Sequence, residues 1–204
     1  MAISVEPPSW SGAAHARNIA SAAMRVTYQM RAHGAHNVGT SGPLLMVCRS
    51  ENILAGSLLH ATVPRPVHVM ANEAMSTALR QGMMAKAGVI PVTTDTAVEA
   101  QHQAVAALED ERAVVVVGGL SHVGYLVAVT GVKVLPVVIF GSEARVHTDP
   151  PRPRSRIDVY FSEAVPVEVP GDPLRTSTRA AIEENVRQIV IDAEEVAAMR
   201  AGRL

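Results

Sequence analysis

"LLMVCRSENILAG", residues 44–56, decides how this chain is read. A continuous apolar run, Leu44 to Val47, ends at a lone cysteine, Cys48. Three polar groups follow, Arg49, Ser50 and Glu51, and then an apolar segment with helical spacing. A strand written entirely in apolar residues is a strand covered on both faces, as in parallel sheets. The residues just past the carboxyl end of such a strand, where the next helix begins, are where α/β enzymes place catalytic groups.

The rest of the chain repeats that alternation. "SGAAHARNIASAAMRVTYQMRAHG", residues 11–34, reads as an amphipathic helix. Ser11 stands as its N-cap and Gly34 beyond its end. Ala20, Met24, Thr27 and Met30 form one side, with His15, Arg17, Arg25 and Arg31 around it. "ENILAGSLLHAT" predicts a helix that stops before Pro64, and "VHVMA" a short strand. "EAMSTALRQGMMAKAG" predicts a helix closed by Gly88, and "VIPVTT" a strand. "TAVEAQHQAVAALEDE" predicts a helix, and "AVVVVGG" and "KVLPVVIFG" are buried strands. "SRIDVYFSEAV" alternates like a half-exposed strand, and residues 172–202 form one long terminal helix with Pro173 near its first turn. Continuous apolar strands separated by helices predict a single α/β domain: a mainly parallel sheet covered by helices, over residues 11–204, after a short extension at residues 1–10.

Bulk properties narrow the function classes. The 204 residues suffice for one sizeable core. Lys+Arg of 18 against Asp+Glu of 19 give no global field that would attract nucleic acid, so no nucleic-acid partner is expected. Aromatics make up 3% of the chain and mean hydropathy is +0.18, suiting a doubly covered sheet or a protein resting on a membrane. A single cysteine excludes an internal disulfide and fits a reducing cytoplasm. The N-terminus lacks the charged and apolar regions of a signal peptide. The longest apolar stretch, Val123 to Phe140, is broken by Gly124, Thr130, Gly131, Lys133 and Pro136, so it reads as a helix end plus a strand, not a membrane span. No Walker loop, dinucleotide fingerprint or zinc spacing occurs, so no cofactor or metal is expected.

The order of particular residues from 41 to 165 resembles the glycerophospholipid acyltransferase superfamily, which includes the 1-acylglycerol-3-phosphate acyltransferases. A Gly-Pro opens the strand that ends at Cys48. A "PRPV" turn precedes the strand giving "ANE", and "GVIPV" and "TGVKVLPVVIFGSE" follow, the latter around Pro136. The resemblance implies a glycerolphosphate-acyltransferase-like fold. It also implies a site in which an Asn-His pair ends the strand and an Asp stands five positions after the His. There His is the general base for a glycerol-type hydroxyl and Asp its orienter. In this chain Val47 falls on the Asn, Cys48 on the His and Ile53 on the Asp, so both members of the dyad are replaced. The family's Phe-Pro-Glu-Gly-Thr-Arg-like segment falls on "AVVVVGGLSHVGYLVAVTG", where Gly118 and Gly119 take the acidic and glycine positions and no arginine follows.

The candidate residues follow from this. Cys48 reads as a small, buried, unreactive core thiol; the alternative is a nucleophile whose pKa is lowered by the adjacent Arg49. Glu51 and His122 are the further catalytic candidates, and Glu51 also suits an acidic first helical turn. Arg49, Ser50, Asn72, Gly118 and Gly119 are the candidate ligand-binding residues, since the "GGLSH" turn offers N–H groups to an anion. His68 and Glu73 share the dyad's spacing by chance; His147 and Asp149 lie in an Arg- and Pro-rich loop. The expected function is an inactive acyltransferase-like protein that binds an acyl chain, lipid or acyl-CoA, or regulates an active acyltransferase partner. The alternative is an acyltransferase with a rebuilt site, using acyl-CoA or acyl carrier protein. The basic flanks of the first helix suit an anionic membrane surface on the cytoplasmic side. The stripe Ile182, Val186, Ile189, Val190 and Ala193, continued by Val196, Ala197 and Met199, suits an interface with a second copy or an active relative.

Overall fold

The computed structural model describes residues 6–50, 52–71, 87–142 and 150–203. Seven strands form one sheet: β1 (Gln29–His33), β2 (Leu44–Cys48), β3 (Val67–Ala71), β4 (Ile90–Pro91), β5 (Ala113–Val117), β6 (Val134–Phe140) and β7 (Arg156–Phe161). The spatial order is β1-β7-β6-β2-β5-β3-β4. Every neighbouring pair is parallel except β6 and β7, so β7 and β1 run against the other five. Among the described residues five helices accompany the strands: α1 (Trp10–Thr27), α2 (Ala55–Thr62), α3 (Ala97–Glu109), α4 (Val123–Thr130) and α5 (Thr176–Arg200). This is the single α/β domain that the alternating pattern predicts.

The sheet has apolar residues on both faces because it has helices on both faces. Met46, Cys48, Val69, Val115 and Val137 point into the core shared with Leu58 and Leu59 of α2. Leu45, Val47, Met70, Val114 and Val116 point to the opposite core, closed by Ala104 of α3, Leu126 of α4 and Ile182, Val186 and Val190 of α5. Leu58 and Leu59 are fully buried, and each such side chain contributes roughly 2 kcal/mol. Pro136 lies in the central strand β6, and its carbonyl accepts from Ser162 N at 3.1 Å. The side of Pro136 that lacks an N–H therefore faces the chain just past the end of β7.

Several local expectations are corrected. The first helix is capped by Ser9, whose hydroxyl accepts from Gly12 N, and not by Ser11. It ends at Thr27, and Met30 and Arg31 lie in β1, whose backbone groups pair with Gln29↔Arg156 through His33↔Tyr160. Gly34 is no helix terminator. It turns the chain from β1 into a 3-10 turn at φ 70°, where an added Cβ would meet Phe161 O. Met24 and Met30 pack against the core, so the apolar side named for the membrane is occupied. The outward side of α1 instead exposes Ile19 (58%) and Val26 (87%). β7 is buried from Ile157 to Phe161, not half-exposed. Val123–Phe140 holds a whole helix and a whole strand, α4 and β6. The strand predicted from "VIPVTT" is only Ile90–Pro91, and the terminal helix starts at Thr176, beyond Pro173. In α5, Ile182, Val186, Val190, Ala193 and Ala197 are buried, leaving Val196 and Met199 exposed. The helix predicted over residues 73–88 lies largely outside the described residues. Before α1, Pro8 O accepts from Arg112 Nη1 at 2.7 Å, which ties the end of the N-terminal extension to the start of β5.

Candidate active site

The carboxyl end of β2 is built as a structural lock. Cys48 is 1% exposed and belongs to the core on the α2 side. Burial pushes its thiol up to about 12, against a smaller lowering from a backbone hydrogen bond at Ser50, with Glu194 raising it further. At neutral pH it is a protonated thiol. Arg49 does not activate it: Nη1 lies 3.1 Å from Glu194 Oε2 of α5, a half-exposed pair between two long side chains. A buried thiol beside an ion-paired Arg49 fits an unreactive core cysteine and not an Arg49-activated nucleophile. Ser50 Oγ accepts from Asn52 N at 3.4 Å.

Asn52 is the residue that the sequence reading missed. It is 5% exposed, its side-chain nitrogen donates to Ser142 O at 2.9 Å, and its Oδ1 accepts from Leu54 N at 2.8 Å. One amide thus ties the loop after β2 to the loop after β6 and forms the Asx turn that leads into α2. An asparagine directly ahead of a helical segment was the available signal. Ile53, at the family's Asp position, is half-buried in the same turn. Glu51 and Asn72, together with Glu73, His147 and Asp149, lie outside the described residues.

On the other side of the sheet a cleft opens past the end of β5. It encloses about 80 Å³ and is lined by Met70, Val92, Val116, Val117, Gly118, Gly119, Ser121 and His122. Gly118 needs to be glycine: its φ is 80°, and its N–H donates to Cys48 O at 3.0 Å, stitching the two strand ends together. At Gly119 a Cβ would meet nothing within 4 Å, so this residue borders open space. His122 precedes α4, and its Nδ1 lies 3.1 Å from Gln101 Nε2 of α3. Burial lowers its pKa. Of the cleft's sheet wall, Met70 and Val116 belong to the α3–α4–α5 core, whereas Val117 belongs to the opposite core together with Cys48. The structure therefore gathers Gly118, Gly119 and His122 at one cleft, whose described lining does not include Cys48, Arg49 or Ser50, although Gly118 is bonded to the Cys48 backbone.

A second set of polar groups is buried between α2 and β3. His60 is 5% exposed with neither ring nitrogen partnered among the described residues, and its pKa is lowered to about 4 by burial first and by nearby His68 second. His68 Nδ1 pairs with Gly88 O at 2.9 Å, which ties β3 to the chain just ahead of β4. Arg65 Nε and Nη2 are also buried without partners among the described residues.

The chain thus has the architecture of an acyltransferase-like α/β domain. It is similar to the crystal structure of the 1-acyl-sn-glycerophosphate (LPA) acyltransferase PlsC from Thermotoga maritima, with a TM-score of 0.57 and 17% sequence identity over 88% of this chain and 79% of that one. That likeness establishes the fold. No family model matches the sequence, and no curated protein matches it.

Proposed function

We propose that this chain is an acyltransferase-like protein that binds lipid or acyl groups, or regulates an active acyltransferase, without performing glycerophosphate acyl transfer itself. The observation that carries the reading is Cys48. Where an acyl transfer to a hydroxyl needs a base poised near neutrality, the strand ends in a buried thiol held up to about 12, with Ile53 in place of an orienting carboxylate. The acyl or lipid partner is supported by the fold shared with the Thermotoga enzyme.

A second reading, acyl transfer by a rebuilt site, draws on the cleft that holds His122 beside Gly118 and Gly119. Purified protein incubated with acyl-CoA and lysophosphatidate separates the two. Absence of turnover together with co-purified lipid fits the first reading; turnover that disappears in His122→Ala establishes the second.

Among the described residues no helix is long and apolar enough to cross a membrane. Contact with an anionic cytoplasmic membrane face is proposed through the outward side of α1, where Ile19 and Val26 stand beside exposed His15 and Arg25. Liposome flotation tests it: equal recovery in the soluble fraction with and without anionic lipid removes the proposal. A second copy or an active relative would meet the chain at Val196 and Met199 of α5.

A further inference from the structure

The cleft past β5 has the chemistry of a site for an uncharged oxygen. Four of its lining residues, Met70, Val92, Val116 and Val117, are apolar, the polar side chains are Ser121 and His122, and no lysine or arginine appears among the lining residues described. The side-chain nitrogen of Gln101 can only donate, so His122 Nδ1 accepts from it and the proton of the neutral ring sits on Nε2. Burial keeps that ring neutral, and Nε2 has no partner among the described residues.

A neutral N–H beside apolar walls satisfies a carbonyl oxygen. A phosphate or carboxylate there would lose its hydration with no countercharge among the lining residues to replace it. The cleft's roughly 80 Å³ is about half the engineered 150 Å³ cavity that accepts benzene. It therefore has room for a carbonyl and the first carbons of a chain, and not for the whole of a long one.

We infer that this cleft seats the carbonyl of an acyl ester or thioester, with His122 Nε2–H donating to the carbonyl oxygen and Gln101 fixing the ring. The inference rests on the acyl-binding reading above and assigns that reading a subsite. It makes His122 a binding residue that donates, since an Nε2 that already carries the proton is not a base toward the ligand. Gly119 then has a stated role, because any side chain at that position would occupy the entrance.

Octanoyl-N-acetylcysteamine, a neutral thioester, is titrated beside the matching octyl thioether, which lacks only the carbonyl oxygen. Wild-type protein is expected to prefer the thioester by roughly fivefold to tenfold, the worth of one neutral hydrogen bond. His122→Ala should bind both ligands equally, at the wild-type thioether affinity. Gly119→Val, whose added Cβ meets nothing within 4 Å, should weaken both, with circular dichroism checking that it is folded. Long-range proton–nitrogen spectra of the histidines should show His122 protonated at Nε2, with Nδ1 bare.

Thioester preference that survives His122→Ala overturns the inference and leaves the acyl-binding reading standing. A His122 ring protonated at Nδ1, or inorganic phosphate that competes with the thioester, overturns it in favour of an anion site. Failure of the wild-type protein to bind either ligand removes the acyl-binding reading itself.

Discussion

Acidification should weaken this fold, and the largest single contribution among its buried histidines comes from His60. Its ring is enclosed at 5% exposure with both nitrogens unpartnered among the described residues, and its pKa falls from 6.5 to about 4. The unfolded chain therefore takes up a proton near pH 6.5 that the folded chain refuses until about pH 4. Stability from this group is complete above the unfolded value, falls as pH drops through the interval, and stops falling below the folded value. Between neutral pH and about pH 4.5 the loss is roughly 2–3 kcal/mol. Part of the lowering comes from nearby His68, so the two rings respond together. Urea unfolding followed by circular dichroism at both pH values reads the loss directly. In His60→Leu the pH-dependent loss should shrink by about that amount, and stability at neutral pH should rise by about 1 kcal/mol because two unsatisfied nitrogens leave the interior. A His60→Leu protein with the wild-type pH dependence would refute the reasoning.

Cys48 should resist Ellman's reagent at neutral pH for as long as the protein is folded and react fully in urea, since the thiol is buried and held up to about 12. Rapid labelling of the native protein would show a thiolate and restore the nucleophile. Gly124→Ala should force α4 and α5 apart, because the new methyl meets Arg179 O and lies 2.8 Å from Glu183 Cγ. A loss of about 2 kcal/mol is expected in thermal unfolding, with Gly119→Ala as the neutral comparison; equal melting temperatures would show that the helices yield.

Much of the architecture is legible in the sequence because burial on both faces writes itself as unbroken apolar runs. β2, β5 and β6 are recognisable for that reason alone, and β3 despite the buried His68 within it. β1 is not, because its alternation, Gln29-Met30-Arg31-Ala32-His33, spans only five residues and merges with the helical pattern that precedes it. What makes the segment a strand is its pairing with β7, far away in the chain. β4 is shorter than its β-rich letters suggest, because Thr93 and Thr96 bond to each other and turn the chain toward α3. At the candidate site, the position of Cys48 at a strand end is legible, whereas the face it points to and the Gln101–His122 pair depend on how α3 packs. Spacing within one segment carries no trace of that packing.

The reversed edge of the sheet has a consequence for synthesis. Strand β1 has a single neighbour in the sheet, β7, and it is made long before that neighbour leaves the ribosome. The strands β2, β3 and β5 can assemble on their own helices while the chain is still growing, but Gln29–His33 must wait with its backbone groups hydrated. Closing so distant a contact is slow. A nascent chain stalled before Arg156 therefore presents an open β-edge, and that interval is when a chaperone, or a neighbouring unfinished copy, has access to it.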